Sequence, residues 1–224
     1  MKSSPRAVAA LLVQDWLTSG QSPDLSALTD STQRGVVTEI VFGTIRRYGT
    51  LQALRAHLAS KDPAPAVEAV LLTSLYQLVY LDRKDQHAVV YEGVEAAKRQ
   101  AGAWAAPFVN AVLRRFTRER ESCLEWLHRQ PIDVRHSHPE ALVKRWGCWW
   151  PESRVEQLAD WNNSAPRVVI RVQRTHISMS DFLLRTKEAG ISVTPHASAP
   201  DHFAVVDRGV AVPDLPGYSD GWFV

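Results

Sequence analysis

Three arginines on one short segment, FVNAVLRRFTRER (108–120), are the side chains best spaced for chemistry in this chain. Val109, Val112, Leu113 and Phe116 recur at i, i+3, i+4 and i+7, which is the apolar stripe of an α-helix. Arg114, Arg115 and Arg118 fall on the opposite side. A guanidinium stays charged and forks its hydrogen bonds onto phosphate oxygens, so this helix can bury one face and offer the other to a polyanion. A basic stripe standing alone reads equally as a solvated helix face. Six basic residues and one acidic residue, Glu119, lie between positions 98 and 120. The other reactive side chains are poorly placed. Cys123 and Cys148 show no CxxC spacing, so they define neither a disulfide framework nor a zinc site. Cys123 neighbours Leu124 and Leu127 and Cys148 neighbours Trp149, and both read as small packed hydrophobes. His136 and His138, at i, i+2 in HSHP, lack the further ligands a metal needs. His87 opens a helix, where histidine packs or caps.

The elements that must position the arginines follow from composition and pattern. The chain has 224 residues, 45% hydrophobic and 22% charged, enough for a real core in one or two domains. Its net charge is only +2, so affinity for nucleic acid must come from local patches. Of eight tryptophans, five (Trp126, Trp146, Trp149, Trp150 and Trp161) crowd one region. The N-terminus lacks the apolar run and cleavage site of a signal peptide, and no segment reaches the ~18 apolar residues of a membrane span. A soluble, cytoplasmic chain is expected.

Ser4-Pro5 starts a first helix with Val8, Leu11, Leu12, Asp15 and Trp16 at helical spacing, ended by Gly20. Asp30, Ser31 and Thr32 offer N-caps for a second, with Val37, Ile40, Val41, Thr44, Ile45 and Tyr48 on its stripe. Arg46 and Arg47 occupy its last turn before Gly49, where they either offset the macrodipole or face RNA. Residues 67–81 read as a helix buried on most sides, with Tyr76 and Tyr80 as core or rim aromatics. Asp85 or Gln86 begins the next helix, on which Glu95 and Arg99 form an i,i+4 pair. Pro107 opens the arginine helix, which runs on to about residue 128. Pro131 and Pro139 flank a polar linker; two short helices follow, and then an alternating strand at 167–173. Ser178 caps a helix ending at Gly190, and residues 191–194, 202–206 and 217–224 read as further strands. The expected fold is mainly α: a helical bundle over 1–130 and a small α+β subdomain within 131–224. Ending on Trp222, Phe223 and Val224 suggests that a domain has been cut off.

Three stretches together carry a family resemblance: EIVFGTIRRYGTL (39–51), SLYQLVYLDRKDQHAVVYEGVEAAK (74–98) and FVNAVLRRF (108–116). They resemble the NusB-like N-terminal domain of the Sun/Fmu-type (RsmB) 16S ribosomal RNA cytosine-C5 methyltransferases. SHPEALVKRWG (137–147) and NNSAPRVVIRV (162–172) resemble the connection to the methyltransferase half. There the family usually has a Pro-x-x-x-Arg-Val-Asn strand; this chain has Pro166, Arg171 and Val172, with four residues between the proline and the arginine, and Gln173 in place of the asparagine. SDGWFV (219–224) is similar to the strand leading into the cofactor domain. Between 173 and 215 the resemblance is loose.

The resemblance implies an RNA-binding portion of an S-adenosylmethionine-dependent methyltransferase, in which a cysteine thiolate attacks C6 of cytosine to activate C5. No GxGxxG is present and neither cysteine adjoins a proline, so the chain alone is expected to be non-catalytic, with no cofactor site of its own. The implied partners are 16S ribosomal RNA and the C-terminal methyltransferase domain of the parent chain, with no membrane and no metal. Arg114, Arg115 and Arg118 are the first expected contacts, Arg46 and Arg47 the next, and Lys144, Arg145, Arg167 and Arg171 follow nearer the linker. Trp146, Trp149 and Trp150 are assigned to a packed joint in preference to base stacking. The competing readings are a stand-alone NusB-like antitermination or regulatory factor, against which the added α+β region speaks, and a scaffold whose basic face meets an acidic protein.

Overall fold

The structure is a computed structural model that describes residues 4–81, 85–164, 167–207 and 210–224. Pro166 and residues 82–84 of the resemblance stretches lie outside these. By packing, the chain forms two compact units, Met1–Asn163 and Ser164–Val224.

The first unit is helical. α1 (Pro5–Ser19) begins with Ser4 Oγ accepting from the Ala7 N–H and ends at Gly20, whose φ of 71° is the left-handed conformation that glycine adopts freely. Its buried face is Ala7, Ala9, Ala10 and Val13. Of the expected stripe, Val8, Leu12 and Trp16 pack against a buried cluster, whereas Leu11 is 44% exposed. Small alanines let the helix lie close against its neighbours, a signal that a search for large apolar residues overlooks. Asp30 is the cap of α2 (Ser31–Arg46), accepting from the N–H groups of Thr32 and Gln33. Val37, Ile40, Val41 and Thr44 are buried, as the stripe requires. A Cβ at Gly43 would collide with the Tyr76 ring, so glycine is needed there for the two helices to meet. Tyr76 is a core residue and donates its hydroxyl to Glu39 at 2.6 Å.

Gly49 does not cap α2. It sits in the first turn of α3 (Tyr48–Leu58), where its N–H, unpaired within the helix, donates to Ser137 Oγ at 2.7 Å. α4 (Pro65–Tyr80) is buried continuously from Val67 to Leu78 and is the axis of the main core. Asp85 caps α5 (Gln86–Gln100), accepting from the His87 N–H. On α5, Glu95 pairs with Lys98 and not with Arg99. α6 (Ala105–Arg118) and α7 (Arg120–His128) are two helices where one was expected. The break falls at Glu119, whose carboxylate draws in Arg115 and Arg118. The polar linker contains a one-turn helix, α8 (Ile132–Arg135), anchored by buried Ile132 and by Thr50 Oγ1 donating to the Val134 carbonyl at 2.6 Å. α9 (Glu140–Gly147) and α10 (Glu152–Asn163) complete the unit.

The second unit is α+β. β1 (Val168–Arg171), α11 (Met179–Glu188), β2 (Val193–Pro195) and β3 (Phe203–Val206) follow in the expected β-α-β-β order. The sheet order is β1-β3-β2 with both pairings antiparallel, Val168 opposite Val206 and Val193 opposite Val206. Ser178 caps α11 as expected. The core is Ile170, Val172, Phe182, Ala204, Val206, Leu215 and Phe223. The strand expected at 217–224 shrinks to one bridge, Val172 to Phe223, because Gly217 and Gly221 both take positive φ and turn the chain before it can extend.

Candidate nucleic-acid interface

The apolar stripe of α6 is buried as its spacing requires: Val109, Val112, Leu113 and Phe116 all lie in the core. The three arginines, however, divide. Arg114 is exposed, and its Nε donates to Asn110 Oδ1, one turn back, at 3.0 Å. Arg118 is 69% exposed along its side chain and reaches Glu119 Oε1 at 2.7 Å. Arg115 is 43% exposed; its Nη1 donates to the Leu58 carbonyl at 2.8 Å and its Nε to Glu119 Oε2 at 3.0 Å. It thereby ties α6 to the C-terminal end of α3, where a cation also complements the helix dipole. Hydrogen bonds from Arg118 and then Arg115 hold the Glu119 carboxyl below the usual carboxylate range. Glu119 is therefore ionised and cancels one of the three positive charges.

Arg46 and Arg47 are half-buried at the α2–α3 junction. The Arg47 guanidinium lies 4.8 Å over the Tyr80 ring, a cation–π contact. Lys144 pairs with Glu140 at 2.7 Å on α9, and Arg145 beside it is exposed. Arg167 and Arg171 are exposed and belong to the other unit. The nine expected cations lie on different elements: two at the α2–α3 junction, three on α6, two on α9, and Arg167 and Arg171 at β1.

Several side chains were not singled out by sequence. Arg55 is buried and paired with Glu68 and Asp62, both at 3.0 Å. Burial pushes the Glu68 carboxyl up, against the downward pull of Arg55. Tyr91 on α5 is exposed beside Arg114, in a groove of about 190 Å³ between α5 and α6. Its signal was available in the sequence, since it stands on the polar side of a helix whose inward face is Val90, Gly93, Val94 and Ala97. Trp149, at 79% exposure, is not packed away, and Trp150 and Trp161 are exposed too. Trp150 and Trp161 border a cavity of about 490 Å³ with Arg154, Gln157 and Leu158. Trp126, by contrast, stacks on His57 with centroids 4.1 Å apart.

Cys123 is buried, and burial pushes its thiol up, away from the reactive thiolate. Cys148 is exposed, which corrects the expectation that both cysteines are packed: α9 has no fully buried residue, and Cys148 follows its last turn. The His138 ring contacts the His136 carbonyl at 2.7 Å. Among the described residues no group of three or more His, Cys, Asp or Glu is placed to hold a metal, and no helix is long and apolar enough to cross a membrane.

Residues 3–118 match the NusB family, and residues 138–212 match the Methyltr_RsmF/B-like, ferredoxin-like domain. The chain is 35% identical over 223 residues to ribosomal RNA small subunit methyltransferase B of Pseudomonas putida, a match covering 98% of this chain and 50% of that protein. It is 34% identical over 225 residues to the protein of the same name from Serratia proteamaculans, covering 97% and 51%. The chain spans about half the length of the curated relatives it matches. The crystal structure of PH0851 is similar in fold, with a TM-score of 0.62 at 12% identity, covering 100% of this chain and 53% of that one.

Proposed function

The chain belongs to the NusB family, and from that premise we propose that it is the RNA-binding portion of an S-adenosylmethionine-dependent ribosomal RNA (cytosine-C5) methyltransferase. Residues 1–130 grip 16S ribosomal RNA, and residues 131–224 link that grip to a catalytic domain that this chain does not contain. The observation that carries the reading is continuity: both units align with one kind of relative, a ribosomal RNA methyltransferase, and the chain spans half of it. The stand-alone regulator is disfavoured because residues 138–212 match a domain of the methyltransferase kind.

The work of this chain is positioning. Arg114 and Arg118 contact phosphates and set the register of the RNA without reading its sequence. Arg46, Lys144 and Arg145 extend the same field, and Arg167 and Arg171 add charge from the second unit. Arg47 and Arg115 contribute mainly by holding helices in place. S-adenosylmethionine requires a glycine-rich turn with acidic residues around it. The cofactor and the attacking cysteine are assigned to the half of the relatives that this chain does not span. A bacterial cytoplasmic location follows from that substrate.

The test is a titration of the chain with fragments of 16S ribosomal RNA at increasing salt, read by fluorescence anisotropy. Log K should fall linearly with log salt, with a slope of about −0.7 to −0.9 for each phosphate contacted. Binding that ignores salt, or no binding to any fragment at low salt, contradicts the proposal.

A further inference from the structure

We infer that the groove between α5 and α6 receives one unpaired nucleotide, its base laid on the Tyr91 ring and its phosphate held by Arg114. This rests on the RNA-binding reading above and specifies the kind of RNA. α5 contributes His87, Tyr91 and Val94 along one face, and α6 contributes Asn110, Arg114 and Thr117 opposite them. Tyr91 is 68% exposed, an aromatic left in water beside two helices whose inward faces are in the core. Aromatic rings in such positions serve as platforms for bases, since every base has a π-face to stack.

Three further observations support this choice. The Asn110 side chain holds the Nε of Arg114, so the guanidinium is oriented before a ligand arrives and its Nη groups remain available. The acidic side chains of α5 are engaged elsewhere: Glu92 by Ser4 and Arg6, Glu95 by Lys98. Asp85, which precedes Gln86 of the groove, is committed to the α5 cap through the His87 N–H. A volume of about 190 Å³ suits a single flat ring, whereas a duplex is bound by shape over a much wider surface. The larger cavity at Trp150 and Trp161 also offers indoles. The cation in its lining, Arg154, donates its Nη1 to Gln157 Oε1 at 3.2 Å, and its helix also carries Glu152 and Asp160.

The experiment uses the whole chain and a 16S-derived RNA strand carrying 2-aminopurine, presented single-stranded or as a duplex. The wild type should bind the single strand more tightly and quench its fluorescence. Tyr91→Ala should lose about tenfold in affinity for the single strand, and the quench with it, while the salt slope stays unchanged. Tyr91→Phe should retain both. Arg114→Ala should weaken binding and flatten the slope by about 0.7. If the wild type binds RNA and Tyr91→Ala binds and quenches equally well, the nucleotide site is wrong and the phosphate-binding reading stands. A preference for the duplex would rule out the nucleotide site in the same way. If the wild type binds neither form, both fall. If the groove instead takes a peptide and RNA does not compete for it, the inference is overturned.

Discussion

The helical unit and the α+β unit both carry arginine at their surfaces, but they hold it differently. On α6, Arg114 leans on Asn110 and Arg115 on the Leu58 carbonyl, and at the end of α2 Arg47 lies across Tyr80. On β1, the strand backbone of Arg171 is paired with Phe203 and Val224, while its guanidinium has no partner among the described residues. A side chain already fixed loses less freedom when it meets an anion. The cations of α6 and those of β1 are therefore not equivalent contacts, although both read as basic and exposed in the sequence. The cores differ as well. The main helical core draws on α1 and on each helix from α3 to α7, whereas the α+β core is built around Phe182.

The contrast between the units is challenged hardest at Phe182, which is fully buried with its ring 5.7 Å from that of Phe223. Phe182→Ala should cost about 4 kcal/mol, close to the whole stability of so small a unit. Amide exchange should accelerate across β1, β2 and β3 and stay slow on α4. Equal acceleration on α4 would show that the two units do not fold separately. Next comes Arg55→Met, which strands the buried Glu68 carboxylate and should lower the urea-derived stability of the helical unit by about 3 kcal/mol. Arg115→Ala should cost about 1 kcal/mol through the lost bond to Leu58, whereas Arg114→Ala should stay within about 0.5 kcal/mol. Equal losses would erase the division of α6 into structural and open arginines.

The smallest effect is a pH dependence. Burial holds His136 below the ordinary histidine range, outweighing the opposing hydrogen bond to the Glu156 carboxylate. The unfolded chain therefore takes up a proton near pH 6.5 that the folded chain still refuses. Stability is complete above that value and declines as pH falls through it toward the folded value. The urea midpoint should be lower at pH 5.5 than at 7.5, and His136→Gln should narrow the drop. Glu68, raised by burial, acts in the opposite direction, so the difference between wild type and variant is the quantity to read.

Much of the fold was legible because its signals are local. Ser4, Asp30, Asp85 and Ser178 cap the helices they precede, and the α6 stripe is buried residue for residue. What escaped depends on partners distant in sequence. Gly49 has the look of a cap and instead meets Ser137. Arg115 resembles Arg114 in the sequence, and only the position of Leu58 separates them. Glu119 reads as an interruption in a basic run, and it is where the helix breaks. Tyr91 stands out in the sequence as an aromatic on the polar side of its helix, but a use for it is legible only once the groove beside it is seen.

Charge reversal carried out separately in each unit decides whether α6 is the surface that grips RNA. The affinity of Arg114→Glu/Arg118→Glu for a 16S ribosomal RNA fragment should fall at least tenfold below wild type at fixed salt, with helical content unchanged. Arg167→Glu/Arg171→Glu should lose distinctly less. Wild-type affinity in the α6 variant, or a greater loss in the β1 variant, would show that the grip lies elsewhere.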